Sequence, residues 1–213
     1  MKRLVGIAVA VLIAVSALAA WVFRSPAVPA VVVPAPAAPA KVLVRHDPSS
    51  VKSCVTSATR PFAPVSAVLR DGHAIDMYAA QREPGGVVPG VAPLTNWGKG
   101  VFAWDEPGVL PGSRSGVVVL DAHSWPDGTA LGNWLMTNLK LGQTLILTGS
   151  NNQRQCYRIT SQRVYPWQQV PWQQTYGPYP PNGPALLTIT ICYWPRLGPD
   201  NWANREIWVA QPY

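Results

Sequence analysis

The hydrophobic positions from residue 64 onward follow the pattern of short β-strands. Val, Ile, Leu and aromatic residues alternate with polar residues or form short apolar runs, and Gly, Pro or Asn bounds most of these runs. The pattern predicts strands at PVSAVLR (64–70), GVFAW (100–104), GVVVLDAH (116–123), QTLILTGS (143–150), QCYRITSQRVY (155–165), ALLTITIC (185–192) and REIWVA (205–210). Many short strands separated by turn residues indicate a mainly β protein.

One segment has helical spacing instead. The apolar residues that fall on one face of a predicted helix at 128–139 are Leu131, Trp134, Leu135 and Leu139. Asp127 or Thr129 is the expected N-cap, and Gly142 follows the predicted end. With one or two short helices among many strands, the expected fold is a closed or sandwich-like β-barrel.

The N-terminal part of the chain contains a long uncharged segment. Residues 4–23, LVGIAVAVLIAVSALAAWVF, have no charged side chain, and a helix of this length crosses about 30 Å of hydrocarbon. Two basic residues precede the segment and favour a cytoplasmic N-terminus. We expect residues 1–24 to be a cytoplasmic tip and transmembrane anchor. The alternative is a signal peptide cleaved near residues 17–19, which gives a secreted protein.

The next segment, residues 25–45, is rich in Pro, Ala and Val. This composition is typical of a semi-rigid, polyproline-type spacer. Residues 46–213 are then predicted to form one domain, because a chain of 213 residues and 23.0 kDa leaves little room for a second.

Charge and composition exclude one class of partner. The formal net charge is +7, and three of these charges, on Lys2, Arg3 and Arg24, flank the apolar segment. The other basic residues are scattered and form no Lys/Arg cluster, so no nucleic-acid partner is predicted. A hydrophobic content of 48% with 10 Trp indicates a packed domain.

Few residues are suited to catalysis, and together they favour thiol chemistry. His46, His73 and His123 lack metal-ligand spacing, and the three cysteines contain no CxxC pair. The chain also lacks a GxSxG elbow, a Gly-rich phosphate loop and a paired-carboxylate pattern. No metal and no cofactor is predicted, and a cysteine nucleophile remains the candidate.

Three residues at the ends of predicted strands form the candidate catalytic set. Cys192 ends the strand 185–192, and alternation places its thiol on the more polar face of that strand. His123 ends the apolar strand 116–123. Arg205 opens the last strand, so an antiparallel return after Cys192 is expected to place the guanidinium beside the thiol.

The sequence around these residues resembles the sortases, the cysteine transpeptidases of bacterial cell surfaces. TITIC at 188–192 is similar to the family's TLxTC strand, and REIWVA at 205–210 is similar to its Arg-x-hydrophobic-hydrophobic-x-Ala strand. Residues 111–123 resemble the family's Pro-Gly turn and the strand that ends in a histidine. The resemblance covers about residues 93–210, is closest to single-domain sortases of classes E and F, and implies a closed sortase-like β-barrel after an N-terminal transmembrane helix.

Two positions depart from the family's pattern. Ile191 precedes the cysteine where the family usually has Thr, and Asp121-Ala122 replaces the small or hydroxyl residues that commonly precede the histidine. Asp121 is expected either to orient His123 or to cap a turn.

The resemblance implies a two-step acyl transfer outside the cytoplasm. Cys192 is expected to attack a peptide carbonyl in a sorting signal similar to LPxTG or LAxTG, and an amine then resolves the thioacyl-enzyme. His123 is expected to act as acid and base, and Arg205 to hold the substrate and stabilise the oxyanion. The expected partners are the sorting signal of a surface protein, an amine acceptor such as a cell-wall peptide, and the membrane through residues 4–23.

An aromatic loop at 165–184 contains the short repeat Pro-Trp-Gln-Gln. The residues expected to bind substrate or glycan by stacking are Trp167, Trp172, Tyr176 and Trp194. One alternative is that the loop packs on its own barrel. Another is that the chain is an exported, non-catalytic β-barrel binding module that uses these rings.

The two other cysteines, Cys54 and Cys156, are candidates for a disulfide in an exported chain. Pairing them leaves Cys192 free, as a thiol nucleophile requires. The alternative is that both are small buried hydrophobic residues.

Overall fold

Eight strands close into one β-barrel in the computed structural model, which describes residues 54–69, 72–82, 90–172, 183–198 and 201–213. The strands are β1 (Pro64–Val68), β2 (Ala74–Ala80), β3 (Phe102–Asp105), β4 (Gly116–Ala122), β5 (Thr144–Gly149), β6 (Arg154–Pro166), β7 (Ala185–Gly198) and β8 (Asn201–Pro212). The helix α1 spans Leu131–Asn138, and short 3-10 helices lie at Gly98–Gly100 and Trp167–Gln169. Over the described residues, the protein is mainly β with one α-helix.

The order of the strands around the barrel is β1-β2-β3-β4-β7-β8-β6-β5. Two neighbouring pairs are parallel, β2 with β3 and β4 with β7, and the other pairs are antiparallel. β4 and β7 run in the same direction and pair in one register from Gly116 with Ala185 to Ala122 with Ile191. The C-terminal end of β4 therefore lies beside Ile191 of β7.

Large apolar side chains at alternate strand positions fill the interior of the barrel. Examples that are fully buried are Phe102, Leu120, Leu147, Ile189 and Trp208. Burial of a large apolar side chain contributes roughly 1.5–3 kcal/mol. The interior therefore determines which face of each strand points inward.

The strands predicted from the sequence are present, but the last two are longer than expected. β7 continues past Cys192 to Gly198 and β8 begins at Asn201, so residues 193–204, expected as a loop, belong largely to a β-hairpin. The predictions that Cys192 ends its strand and that Arg205 opens the last strand are therefore wrong. The sequence of the hairpin misleads because its Pro and Gly residues are typical of loops.

The strand β2 has no counterpart in the sequence prediction. Its sequence, AIDMYAA, has one β-branched residue and no regular alternation, so its intrinsic preference for a strand is weak. Pairing with β1 on one side and β3 on the other supplies the hydrogen bonds that stabilise it.

The helix α1 is shorter than the predicted 128–139. Its N-cap is Ala130, which has no capping side chain, and the prediction of Asp127 or Thr129 as N-cap is wrong. Asp127 instead accepts hydrogen bonds from the hydroxyl and the backbone N–H of Thr129, at 2.7 and 2.9 Å, and these bonds lower the pKa of Asp127. Asp127 therefore caps the turn before the helix.

The predicted anchor at residues 4–23 and the spacer at 25–45 lie outside the described residues, and both stay predictions. Among the residues that the structure does describe, no helix has the length and apolar character needed to cross a membrane.

Cys54 and Cys156 form a disulfide that ties the beginning of the described chain to β6, with their Cα atoms 6.0 Å apart. Hydrogen bonds hold the same segment. The Thr56 hydroxyl donates to the Tyr213 carbonyl oxygen at 2.7 Å and accepts from the Cys156 N–H at 3.2 Å. Cys192 is not disulfide-bonded.

Removal of this disulfide is expected to lower the melting temperature. The two cysteines are 102 residues apart, and chain-entropy models assign about 4–5 kcal/mol to a loop of that length. The double variant Cys54→Ala/Cys156→Ala should therefore melt roughly 5–15 °C below the wild type in circular dichroism.

Reductant is the control for this comparison, because it should lower the melting temperature of the wild type and leave that of the double variant unchanged. Alkylation of the denatured, unreduced wild type should label Cys192 alone. Labelling of all three cysteines would be incompatible with the disulfide.

Candidate active site

The register of three neighbouring strands brings His123, Cys192 and Arg205 together. Ala122 of β4 is the parallel partner of Ile191 of β7, and each is followed directly by the candidate residue. On the other side of β7, Cys192 is the antiparallel partner of Arg205 in β8. Directly opposite residues in an antiparallel pair have Cβ atoms about 4.5–5.5 Å apart.

The three side chains belong to the outer face of the barrel wall. Core residues of β4, β7 and β8 near the site are Leu120, Ala122, Ile189, Ile191 and Trp208. Because side chains alternate along a strand, the residues that face outward are Asp121, His123, Thr190, Cys192 and Arg205. Imidazole, thiol and guanidinium therefore share one surface.

A backbone carbonyl orients the His123 ring. Nε2 of His123 lies 2.6 Å from the carbonyl oxygen of Ala92, and because a carbonyl oxygen can only accept, Nε2 is the donor. Nδ1 is then the ring nitrogen that takes or gives a proton. This contact was not predicted, because nothing in the sequence indicates that the backbone carbonyl group of Ala92 faces His123.

An aromatic ring stands beside the imidazole, and a lysine lies on that aromatic ring. The Trp125 ring is edge-on to that of His123, with ring centroids 6.4 Å apart. Lys99 Nζ lies 4.1 Å from the centroid of the Trp125 ring and 3.9 Å from a carboxylate oxygen of Asp127. The His123 ring therefore has an apolar contact with the Trp125 ring on one side.

The surroundings of Cys192 favour the neutral thiol. Burial raises the pKa of the Cys192 thiol, the Arg205 guanidinium lowers it and the Asp121 carboxylate raises it, and the net change is upward. At neutral pH the thiol form therefore predominates. Attack by the sulfur requires a base that takes the proton, because the thiolate is the nucleophile.

Two hydrogen bonds hold the segment around His123. The Ser124 hydroxyl donates to the Cys192 carbonyl oxygen at 2.6 Å. The Gly132 N–H, in α1, donates to the His123 carbonyl oxygen at 2.8 Å. These bonds connect the end of β4 to β7 and to α1. Sequence analysis did not identify Ser124, although a hydroxyl next to the candidate histidine was a usable indication.

Two backbone carbonyl groups of β8 hold the Arg205 guanidinium. Nη1 donates to the carbonyl oxygens of Trp202, at 3.2 Å, and Asn204, at 3.0 Å. Among the described residues, no carboxylate forms a salt bridge with Arg205. Its positive charge lowers the pKa of the Cys192 thiol.

Two of the aromatic residues predicted to bind substrate, Trp167 and Trp194, flank the Arg205 end of the site. Trp167 directly follows β6, whose last residue pairs with Asn204. Trp194 lies two residues after Cys192 in β7. The two residues are 43% and 44% exposed, so both are accessible to a ligand.

Trp172 packs on the barrel instead. Its ring is partly buried against Val117 and Val119 on the outer face of β4, and Leu186 of β7 packs against the same two residues. This is the face that bears Cys192, but Leu186 lies about 20 Å further back along β7. The remaining predicted aromatic residue, Tyr176, lies outside the described residues.

Asp121 lies inside β4, where its partners are Thr190 of β7 and Ala103 of β3. The expectation that it caps a turn is therefore wrong. Asp121 as a whole is 9% exposed, and it lies on the same outer face as His123 and Cys192. That Asp121 orients the His123 ring stays a prediction.

The arrangement as a whole is suited to acyl transfer. It combines a thiol, an imidazole, a permanent cation and a buried carboxylate within three strands. No group of three or more His, Cys, Asp or Glu side chains that could hold a metal ion occurs in the part of the chain that the structure describes. A nucleophile, a proton carrier and an oxyanion donor are the elements that thiol-dependent acyl transfer requires.

No protein-family model and no curated protein matches the chain. Similar solved structures include sortase A from Corynebacterium diphtheriae, with 14% identity over 72% of this chain and 62% of that chain and a TM-score of 0.48. Sortase C1 of GBS (group B Streptococcus) Pilus Island 1 has 16% identity over 70% and 63%, with a TM-score of 0.46. Sortase A of Listeria monocytogenes has 15% identity over 71% and 88%, with a TM-score of 0.47.

This chain therefore spans less than two thirds of the length of the first two of these proteins.

Replacement of Gly132 by alanine is expected to destabilise the barrel next to His123. A Cβ at Gly132 would lie 2.6 Å from both the His123 carbonyl oxygen and Ser124 Oγ, so the backbone has to shift. Overpacking of this kind costs about 1–3 kcal/mol. Thermal denaturation should show a melting temperature roughly 2–10 °C below that of the wild type.

Gly100→Ala is the matched control, because a Cβ at Gly100 meets no atom within 4 Å. Its melting temperature should equal that of the wild type or exceed it slightly. If both alanine variants are equally stable, the close packing of α1 on the His123 segment is refuted.

Proposed function

We propose that this chain is a sortase-like cysteine transpeptidase that cleaves a sorting-signal peptide similar to LPxTG or LAxTG and transfers it to an amine. The observation that carries the proposal is the juxtaposition of His123, Cys192 and Arg205 on one outer face of three neighbouring strands. The similarity of the strands around Cys192 and Arg205 to the sortase motifs supports it independently, and these motifs are closest to those of classes E and F.

In the first step, the proton of the Cys192 thiol moves to Nδ1 of His123, and the sulfur attacks the carbonyl carbon of the scissile peptide bond. A C–S bond forms, and the π electrons of the carbonyl group move to its oxygen. When this oxyanion collapses, the C–N bond breaks and the leaving amine takes the proton from His123. The products are a thioester on Cys192, a released amine and a neutral imidazole.

In the second step, an incoming amine attacks the thioester carbonyl carbon and gives a proton to His123. The new C–N bond forms and the C–S bond breaks. The sulfur of Cys192 leaves and recovers the proton from the imidazole. One turnover exchanges one amine for another and returns the enzyme to its starting state, whereas water in place of the amine gives hydrolysis.

Arg205 is suited to stabilise the oxyanion that forms in both steps. Its guanidinium is permanently cationic and lies directly opposite Cys192. Among the described residues, backbone carbonyls occupy Nη1, which leaves Nε and Nη2 to donate to the substrate. One donor to an oxyanion is commonly worth about 2.7–4 kcal/mol of transition-state stabilisation.

The apolar beginning of the proposed sorting signal needs an accessible apolar surface near the site. Trp167 and Trp194, beside the Arg205 end, are 43% and 44% exposed and are suited to contact it. Val117 and Val119 on the outer face of β4 are each 3% exposed, and Trp172 packs on them, so they do not offer such a surface.

The proposal includes the place of the reaction. The uncharged residues 4–23 would anchor the chain in the membrane, and the Pro- and Ala-rich residues 25–45 would hold the domain 46–213 away from it on the outside. At that position the domain meets surface proteins that carry sorting signals and cell-wall peptides that carry amines.

A non-catalytic binding module is the alternative function. The exposed rings of Trp167 and Trp194 favour it, because aromatic rings bind ligands by stacking without any nucleophile. The reactivity of Cys192 toward a peptide substrate distinguishes the two functions.

The purified chain is expected to form a covalent adduct when it is incubated with a sorting-signal peptide and an amine. Mass spectrometry should detect the thioacyl-enzyme at Cys192 and a peptide product in which the amine has been exchanged. Cys192→Ala should give neither, while its circular dichroism stays that of the wild type, because the thiol lies outside the apolar core.

Undiminished turnover by Cys192→Ala would exclude this cysteine as the nucleophile. A wild type that binds the peptide and the amine without any adduct or exchange would favour the binding module instead.

Arg205→Lys is expected to lose most of the activity although it keeps the positive charge. A lysine is a flexible point donor and does not reproduce the fixed fork of the guanidinium. We expect kcat to fall about 100-fold or more, as for the loss of an oxyanion donor. Near-normal kcat/KM in Arg205→Lys, with loss only in Arg205→Ala, would show that charge alone is sufficient.

A further inference from the structure

Cys192 lies between two opposite charges on the outer face of the barrel. Arg205 is its direct partner in β8. On the other side, in β4, Asp121 is the partner of Thr190, which precedes Cys192 by two residues in β7. Adjacent strands are about 4.8 Å apart and two residues along a strand span about 6.6 Å, so the positions of Asp121 and Cys192 on one face are about 8 Å apart. The carboxylate therefore faces the thiol from one strand and the guanidinium faces it from the other.

Asp121 is also buried, with 9% of its surface exposed, and its partner Thr190 is 3% exposed. A buried charge is screened weakly by solvent and salt, so it acts on neighbouring titratable groups more strongly than a surface acid does. Burial of a carboxylate costs free energy. A buried acid beside a candidate nucleophile is therefore a candidate for a functional role.

We propose that Asp121 is a positioning residue of this site: its carboxylate opposes Arg205 and keeps Cys192 in the thiol form until His123 takes the proton. The use of this effect in catalysis rests on the proposed transpeptidase function, whereas the effect on the thiol belongs to the free protein. After the proton has moved, the His123 ring is positively charged. Asp121 lies two residues before His123 on the same face, so its carboxylate stabilises the charged ring.

Several other groups surround the thiol. In the described part of the chain, the titratable and charged groups around Cys192 are Asp121 and His123 from β4, Arg205 from β8, Tyr193 next in its own strand, and Tyr165 of β6, which pairs with Arg205. Lys99 and Asp127 form an ion pair beyond His123. Burial has the largest effect and raises the pKa of the Cys192 thiol. Arg205 lowers this pKa and Asp121 raises it.

The experiment measures the reactivity of the thiol, which does not depend on any peptide substrate. The rate of Cys192 alkylation by iodoacetamide is followed from about pH 6 to about pH 10 in the purified full chain, because the thiolate is the reactive form. Asp121→Asn keeps the shape of the side chain and removes its charge. The pH midpoint of alkylation should fall by about 0.5–1.5 units, and the rate at neutral pH should rise about 3–30-fold.

Glu206→Gln is the matched control. Glu206 is 2% exposed and follows Arg205 directly, but it faces the barrel interior, where it accepts a hydrogen bond from Gln162. Its replacement should leave the midpoint within about 0.2 units of the wild type, because a group on the opposite face does not face the thiol. Asp121→Glu, which keeps the charge, should restore a midpoint close to that of the wild type.

Asp121→Thr provides a second neutral variant, because a β-branched residue suits a strand even where asparagine disturbs the fold. Circular dichroism verifies that each variant is folded. A midpoint that is unchanged or higher in the folded neutral variants overturns the inference. An equal fall in Glu206→Gln also overturns it, since any buried acid would then have the same effect.

Peptide cleavage separates this inference from the proposed function. If the wild type cleaves no sorting-signal peptide but the midpoint falls in Asp121→Asn, the transpeptidase proposal fails and the role of Asp121 in controlling the thiol stands. If the wild type cleaves the peptide and the midpoint does not move, only the role of Asp121 fails.

Discussion

The candidate site depends on the parallel pairing of β4 with β7. The alignment of Ala122 with Ile191 brings the following residues, His123 and Cys192, to the same level. A slip of one residue in this pairing would turn one of the two side chains toward the interior, because successive side chains of a strand point to opposite faces. The register of this pair is therefore the constraint on which the imidazole and the thiol both depend.

The apolar interior enforces that register. The inward residues of the two strands include Val118, Leu120, Ala122, Leu187, Ile189 and Ile191, and all of them belong to one buried cluster. Ile191 stands where the sortase pattern usually has Thr. Because this position faces the core, an apolar side chain suits it.

Sequence reasoning identifies the parts of the site that depend on strand patterns. Alternation and an antiparallel return are enough to predict that Arg205 lies beside Cys192. The contacts of Ser124 with Cys192 and of Ala92 with His123 join residues 68 and 31 positions apart, so they arise only when the barrel closes. The weak strand β2 and the extended hairpin after Cys192 were missed for a related reason: their neighbours in the sheet stabilise them against a poor local preference.

The protonation state of Cys192 also matters for the disulfide in the same molecule. A thiolate attacks disulfides, whereas a protonated thiol exchanges with them slowly. Cys156 lies in β6, which is separated from β7 by β8, and burial raises the pKa of the Cys192 thiol. In its resting form the cysteine is therefore a poor nucleophile toward Cys54–Cys156 and is also less prone to oxidation. In the proposed function, the imidazole at the same level of the barrel takes the proton from the thiol only during the reaction. A structural disulfide and a cysteine nucleophile are then compatible in one small barrel.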